Sequence, residues 1–196
     1  MRGRLRKTAE CGGFTLTELL VVISIIGLLA GLSTAVIPRA MEAGKKAKVK
    51  TELTSLVASV KAYRQEYGRY PINANLADNE FNSWYGPPTN ENGSKELVRI
   101  LSGENRTLGG VEMNPKGVRF LEGASPDGTF LDAWGNQYCV KMDTDESGAL
   151  EYYASGGQGE NIKMTVIAIS LGKDKTQNDP DRRTTATCDD VFSWRE

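Results

Sequence analysis

The sequence predicts an α+β subunit: one long N-terminal helix whose first half crosses a membrane, then a small antiparallel β-sheet with a C-terminal loop. Three observations predict it. Residues 19–37 carry no charge. Apolar residues then recur at helical spacing as far as Tyr67. Beyond residue 130, short runs alternate apolar and polar side chains between turn residues. Composition excludes several other classes. The 196-residue chain has a formal net charge of −1, so a general nucleic-acid partner is not expected. It contains no histidine, which removes the commonest general base and metal ligand, and with them Ser–His and Cys–His nucleophiles. No residue constellation points to an enzyme.

The N-terminal helix comes first. Residues 19–37 would span roughly 28 Å at ~1.5 Å per residue, close to a bilayer's hydrocarbon thickness. Arg2, Arg4, Arg6 and Lys7 precede them against Glu10 alone. The positive-inside rule keeps this leader in the cytoplasm and exports the chain beyond the span. An ordinary signal peptide, cut near Ala35, would have a shorter apolar region of ~7–15 residues. A plain anchor would need no further feature. Neither accounts for Glu18, the one charge between Phe14 and Pro38. A carboxylate at membrane depth costs about 2.5–3.5 kcal/mol on insertion scales unless it finds a partner. A glutamate resting among lipid headgroups is the simplest alternative, but it leaves the Gly13–Phe14 junction unexplained.

The stretch GGFTLTELLVVI, residues 12–23, resembles the processing site of type IV prepilins and type II secretion pseudopilins. The resemblance implies cleavage between Gly13 and Phe14 by a membrane-embedded peptidase, followed by N-methylation of Phe14. Glu18 becomes the fifth mature residue. Its implied role is to pair with the new α-amine on Phe14 of a neighbouring subunit as a filament assembles. The fold implied is pilin-like, in three parts: a leader at 1–13, a transmembrane and filament-core helix at 14–37, and an exported globular domain at 38–196 that includes the helix's second half. Gly27 and Gly31 have the G-x-x-x-G spacing that permits close packing in membranes, a weak signal by itself. Pro38 should kink or divide the helix, since it cannot donate to the ladder.

The helix is expected to resume after Pro38, with Val49, Leu53, Leu56, Val57, Val60, Tyr63 and Tyr67 covering the sheet and lysines on the other face. Gly68 and Pro71 should end it. SKELVRILSG reads as a short helix with Ser94 as N-cap and Gly103 as stop. Residues 118–121 read as a short strand. Trp84 and Tyr85 read as a local anchor in a loop. Tyr138, Val140 and Met142 mark a strand, DTDESG its turn, ALEYYA the return strand and MTVIAISLG a third, in one sheet with a single buried face. DAWGNQY resembles the D-P-W-G-x-x-Y segment of the major pseudopilin of type II secretion, departing at Ala133, and YGRYP fits the same family's helix end.

Two acidic segments suggest cations. Asp143, Asp145 and Ser147 before Gly148 match the start of an EF-hand loop, but Ala154 stands where its twelfth-position glutamate belongs. A solvated hairpin turn is the better reading. The segment SLGKDKTQNDPDRRTTATCDDVFSW resembles the calcium loop of the major pseudopilin. That implies the Leu171 carbonyl, Asp174, Asp189 and Asp190 as ligands, with Trp194 packed beneath. A longer insert carries Asp179, Asp181, Arg182 and Arg183, and its arginines could neutralise the carboxylates without a metal. After cleavage removes Cys11, Cys139 and Cys188 are the remaining cysteines. In an oxidising compartment they would form a bridge from sheet to loop, worth on the order of 4 kcal/mol in the chain-entropy model; two buried thiols are the alternative.

These readings converge on a structural subunit of a type II secretion pseudopilus for protein export. Its expected partners are copies of itself, a prepilin peptidase, an inner-membrane assembly platform, other minor pilins or pseudopilins, and membrane lipid. A type IV pilus subunit for adhesion, motility or DNA uptake is the rival within the class. A membrane-tethered binding domain that never polymerises is the rival outside it. The expected location is the inner membrane, single-pass with a cytoplasmic N-terminus, then a periplasmic or cell-surface filament.

Overall fold

A computed structural model describes residues 13–72, 91–152, 160–175 and 189–195 of the chain. Two compact units divide it, Met1–Gly44 and Lys45–Glu196. Helix α1 (Leu16–Tyr67) contributes to both. Pro38 lies inside α1 without dividing it. A missing N–H removes one ladder bond, and here the turns on either side continue the helix past that loss.

In the first unit α1 is apolar and exposed. Its most apolar 18-residue window has a mean hydropathy of 2.6 and none of it is buried within the protein. The hydroxyls on this surface bond back to the helix: Ser24 Oγ donates to the Leu20 carbonyl, Ser33 Oγ to Leu29 and Thr34 Oγ1 to Gly31, each at 2.8 Å. Every such bond spares a polar group from bare hydrocarbon. The remaining contact surface is a coat of leucine, isoleucine and valine side chains.

The second unit is built on the C-terminal half of α1. Val49, Leu53, Leu56, Val57, Val60 and Tyr63 are buried, as their spacing predicts, and Tyr67 packs at the margin. Gly68 stops the helix at φ +67°, its N–H returning to the Arg64 carbonyl at 2.8 Å. Helix α2 (Glu91–Leu101) adds Leu97, Val98, Ile100 and Leu101 to the same core. It begins three residues before Ser94, so Ser94 is not its N-cap. That side chain is buried and donates to the Tyr138 carbonyl at 3.2 Å. The predicted stop holds: Gly103 has φ +101°, with bonds from Gly103 N to Ile100 O and from Glu104 N to Arg99 O.

Residues 118–121 form no strand. Phe120 N and Leu121 N both donate to the Leu101 carbonyl, so a helix end takes the bonds a strand neighbour would need. Buried Asn114 fixes this segment, donating to Ile100 O and Val118 O and accepting from Tyr67 OH and Val118 N. The short pair β1 (Thr107–Leu108) and β2 (Val111–Glu112) lies just before it.

The main sheet has a different order from the one expected. Strand β3 (Cys139–Met142) is followed by a two-stranded ribbon, β4 (Leu150–Tyr152) with β5 (Glu160–Ile162). Strand β6 (Val166–Ser170) pairs antiparallel with β3, and β7 (Val191–Phe192) pairs with β6, giving the order β3-β6-β7. DTDESG is therefore not the turn of a β3–β4 hairpin. Asp143 N extends the β3–β6 pairing by donating to Thr165 O. Nor is one face of the sheet open. Val140, Met142, Val166 and Ala168 face the helices, while Cys139, Ile167 and Ile169 pack with Leu150, Tyr152, Ile162 and Phe192. The β4–β5 ribbon covers the second face, which is why β3 and β6 are buried at every position.

The chain end is also tied in. Lys50 Nζ on α1 donates to the Phe192 carbonyl at 2.8 Å and also bonds the Arg195 carbonyl. Arg195 pairs with Glu160. Trp194 sits 5.4 Å from Tyr152 and 5.0 Å from Phe192, ring centre to ring centre, at the edge of the second apolar cluster.

Lys141 is 3 % exposed and donates to the Glu151 carbonyl. Burial lowers its pKa to about 8, against the opposing charge of Glu151. The unfolded chain, with an ordinary lysine near ~10.4, then holds this proton more tightly than the folded one. Stability should rise as pH increases from about 8 towards 10. Denaturant titrations at about pH 7.5 and 9.5 should show this rise in the native protein and lose it in Lys141→Met. Equal slopes in both proteins would remove the assignment.

Candidate functional sites

The N-terminal site begins at the Gly13–Phe14 junction, with Phe14 80 % exposed ahead of the helix. Thr15 caps α1. Its Oγ1 accepts from Glu18 N at 3.2 Å, and Glu18 Oε2 accepts from Thr15 N at 2.8 Å and Thr15 Oγ1 at 2.7 Å. This is a reciprocal capping box, worth about 1 kcal/mol to a helix start. Glu18 thus has a role inside its own chain as well as the one expected between chains. Both bonds use Oε2; among the described residues Oε1 has no hydrogen-bond partner. The T-x-x-E spacing at residues 15–18 carries this signal in the sequence.

The C-terminal site lies where β6 ends. Carboxylate oxygens of Asp174, Asp189 and Asp190 lie within 4.8 Å of one another. Asp189 Oδ2 accepts from Lys173 N at 2.6 Å and Asp174 N at 3.2 Å. Its Oδ1 is buried and has no hydrogen-bond partner among the described residues. Three acidic groups this close repel unless positive charge, from an ion or a side chain, lies beside them. An all-oxygen donor set with an unsatisfied buried oxygen suits a hard divalent ion such as calcium, so the residues present fit one. Leu171 buries its side chain in the second core cluster, which places its carbonyl one residue before the turn.

The turn itself depends on Gly172. At φ +63°, a Cβ there would stand 2.6 Å from Asp189 Cγ and 2.7 Å from Asp189 Oδ1. Only glycine lets the aspartate lie against the backbone. The other acidic segment is self-contained. Asp143 accepts from Ser147 N at 3.0 Å, Ser147 Oγ at 3.3 Å and Gly148 N at 2.9 Å, the side-chain-to-backbone bonding of a turn closed by its own aspartate.

Cys139 opens β3, buried against Ile167, Ile169 and Phe192. Burial first, then the charges of Asp190 and Asp132, pushes its thiol when reduced up to about 12, far from a nucleophile's range. Cys139 is opposite Ile169 and Ile169 is opposite Phe192, so Cys139 lies across one strand from the segment that Cys188 precedes. Cys188 lies outside the described residues, as do Trp84, Tyr85, Asp179, Asp181, Arg182 and Arg183.

Comparison with known proteins bears on the N-terminal site first. Residues 9–34 match the family model for the prokaryotic N-terminal methylation motif. The chain is also 29 % identical to the type II secretion system core protein G of Escherichia coli (strain K12) over 159 residues, covering 80 % of this chain and 88 % of that protein. The chain is thus similar to type IV pilin-like proteins, at its N-terminal motif and over most of its length. It is likewise 29 % identical to the type II secretion system core protein G of Klebsiella pneumoniae, over 150 residues covering 75 % of this chain and 85 % of that one. No solved structure gives a significant match.

In this pilin-like fold, three residues with no role assigned from the sequence meet at the end of β6. Asp132, Asn136 and Ser170 are all buried. In the sequence, DAWGNQY offers a family resemblance and no assigned chemistry. The clue to its chemistry is an aspartate and an asparagine four residues apart around a Trp–Gly pair, a turn able to bind its own backbone.

Proposed function

We propose that this chain is a structural subunit of a type II secretion pseudopilus, made as a single-pass inner-membrane protein and polymerised after its leader is removed. The observation that carries this reading is a capped helix start at Phe14–Glu18 opening directly into an exposed apolar helix, with the methylation motif spanning both. Its work is self-assembly rather than catalysis. The leader stays cytoplasmic, and residues from about 38 on are exported. The peptidase cuts Gly13–Phe14, and the freed α-amine of Phe14 is methylated. Partners beyond its own copies are the inner-membrane assembly platform and minor pseudopilins.

Glu18 works in two stages in this reading. Before assembly, Thr15 satisfies Oε2 within the chain and lowers the cost of carrying a carboxylate into lipid. During assembly, Oε1 remains to meet the ammonium group of a neighbouring Phe14. Charge pairing of this kind is strongest where water is excluded.

The globular part carries a calcium ion held by the Leu171 carbonyl, Asp174, Asp189 and Asp190. The ion neutralises the clustered carboxylates and staples the loop to the sheet. A Cys139–Cys188 bridge ties the same loop to β3 in the oxidising compartment.

Mass spectrometry of the mature protein tests the reading at its base. N-methylphenylalanine at Phe14 is expected; a retained leader, or cleavage near Ala35, would refute it. Glu18→Ala should still be cut and methylated yet be depleted from sheared filaments by roughly tenfold or more, the effect of losing a charge pair in lipid. Incorporation at the native level would remove its pairing role. Adding a calcium chelator should lower the melting temperature of the purified chain by several degrees, and an unchanged melting curve would end the metal proposal.

A further inference from the structure

We infer that Asp132 and Asn136 are positioning residues for the C-terminal cation site, holding the segment from Ser170 to Gly172 in the one arrangement that brings Asp189 to the ion. The inference rests on the calcium reading of that site. It starts from burial: Asp132 is 6 % exposed, Asn136 7 % and Ser170 0 %. Polar groups so deeply placed need partners, and the partners here run in one direction.

The turn at residues 132–136 is first closed on itself. Asp132 N donates to Asn136 O at 2.8 Å, and Asp132 Oδ1 accepts from Trp134 N at 2.9 Å and Asn136 N at 2.8 Å. Asn136 Nδ2 also donates to Asp132 Oδ2 at 3.4 Å, and both groups reach on to the end of β6. Asp132 Oδ2 accepts from Ser170 Oγ at 2.6 Å. Asn136 Nδ2 donates to the Gly172 carbonyl at 2.5 Å. Ser170 Oγ in turn accepts from Gly172 N at 3.3 Å, so both backbone groups of Gly172 are held from one side.

The other side of Gly172 is the bed for Asp189. A Cβ at residue 172 would overlap Asp189 Cγ, Oδ1 and the Asp189 carbonyl, all within 2.7 Å. The next two backbone N–H groups, of Lys173 and Asp174, bind Asp189 Oδ2. Any displacement of Gly172 therefore moves Asp189 Oδ1, the buried oxygen with no other hydrogen-bond partner among the described residues. Clustered carboxylates tend to splay apart before the ion arrives. A backbone fixed from behind keeps them convergent and lowers the ordering cost of binding.

A purely structural role for the same residues would lower stability without changing affinity, so the test separates the two. Calcium chloride is titrated calorimetrically into the full chain in detergent micelles, and melting is measured in chelator for every variant. Asn136→Ala should fold but bind calcium roughly tenfold more weakly or worse, the usual loss when a supporting partner of a metal site is removed. Ser59→Ala loses bonds to Ser55 O and Phe120 O, away from the loop. It serves as the control: its melting in chelator falls, and its calcium affinity should stay native. If Asn136→Ala does not fold, Ser170→Ala removes the donor to Asp132 Oδ2 and the acceptor for Gly172 N, and should show the same selective loss. Native affinity in the folded variant overturns the positioning role while leaving the ion in place. Absence of any calcium binding by the native protein overturns the calcium reading and this inference with it.

Discussion

A carboxylate at the head of an apolar helix is the constraint around which the chain is arranged. Ser24, Ser33 and Thr34 on that helix surface each turn back to a carbonyl of the preceding turn. Glu18 is the exception, and the fold handles it by half-measures. Thr15 satisfies one oxygen through the backbone and side chain together. The arrangement lets a monomer reside in lipid at moderate cost while leaving it chemically incomplete. On the proposed pairing with Phe14 of a neighbouring subunit, the open oxygen is the group that the neighbour would meet.

The exported unit solves a separate problem. A sheet of short strands cannot hold itself together in water. Here β3 and β6 are sandwiched between α1 with α2 on one face and the β4–β5 ribbon on the other. The result is two apolar clusters sharing one pair of strands. Buried polar groups then lie at the edges of this sandwich, where Asn114 ties the α2 end to α1 and Asp132 ties the turn before β3 to the end of β6.

Much of this is readable from residue pattern alone. The apolar stripe from Val49 to Tyr63 and the glycine stops at Gly68 and Gly103 declare themselves because each rests on local physics. The N-terminal methylation motif is visible because charge is rare in an apolar run. Strand pairing is not readable. The alternation of Tyr138, Val140 and Met142 identifies a strand without naming its partner, and nothing in DTDESG distinguishes a hairpin turn from a loop that leaves the sheet. Ser94 misleads for a related reason: serine suits an N-cap, but a core carbonyl on Tyr138 claims its hydroxyl. The carboxylate cluster is anticipated by resemblance, whereas the buried Asp132–Asn136 support depends on contacts 36 and 38 residues apart in sequence.

The Lys50 clamp explains how such a loop tolerates change in length. Its ammonium group grips carbonyls of residues 192 and 195 from the flank of α1. The opposite end of the excursion is fixed at Gly172 by the turn before β3. With both ends moored to rigid elements, lengthening the chain between them costs only about 0.6 kcal/mol for each doubling.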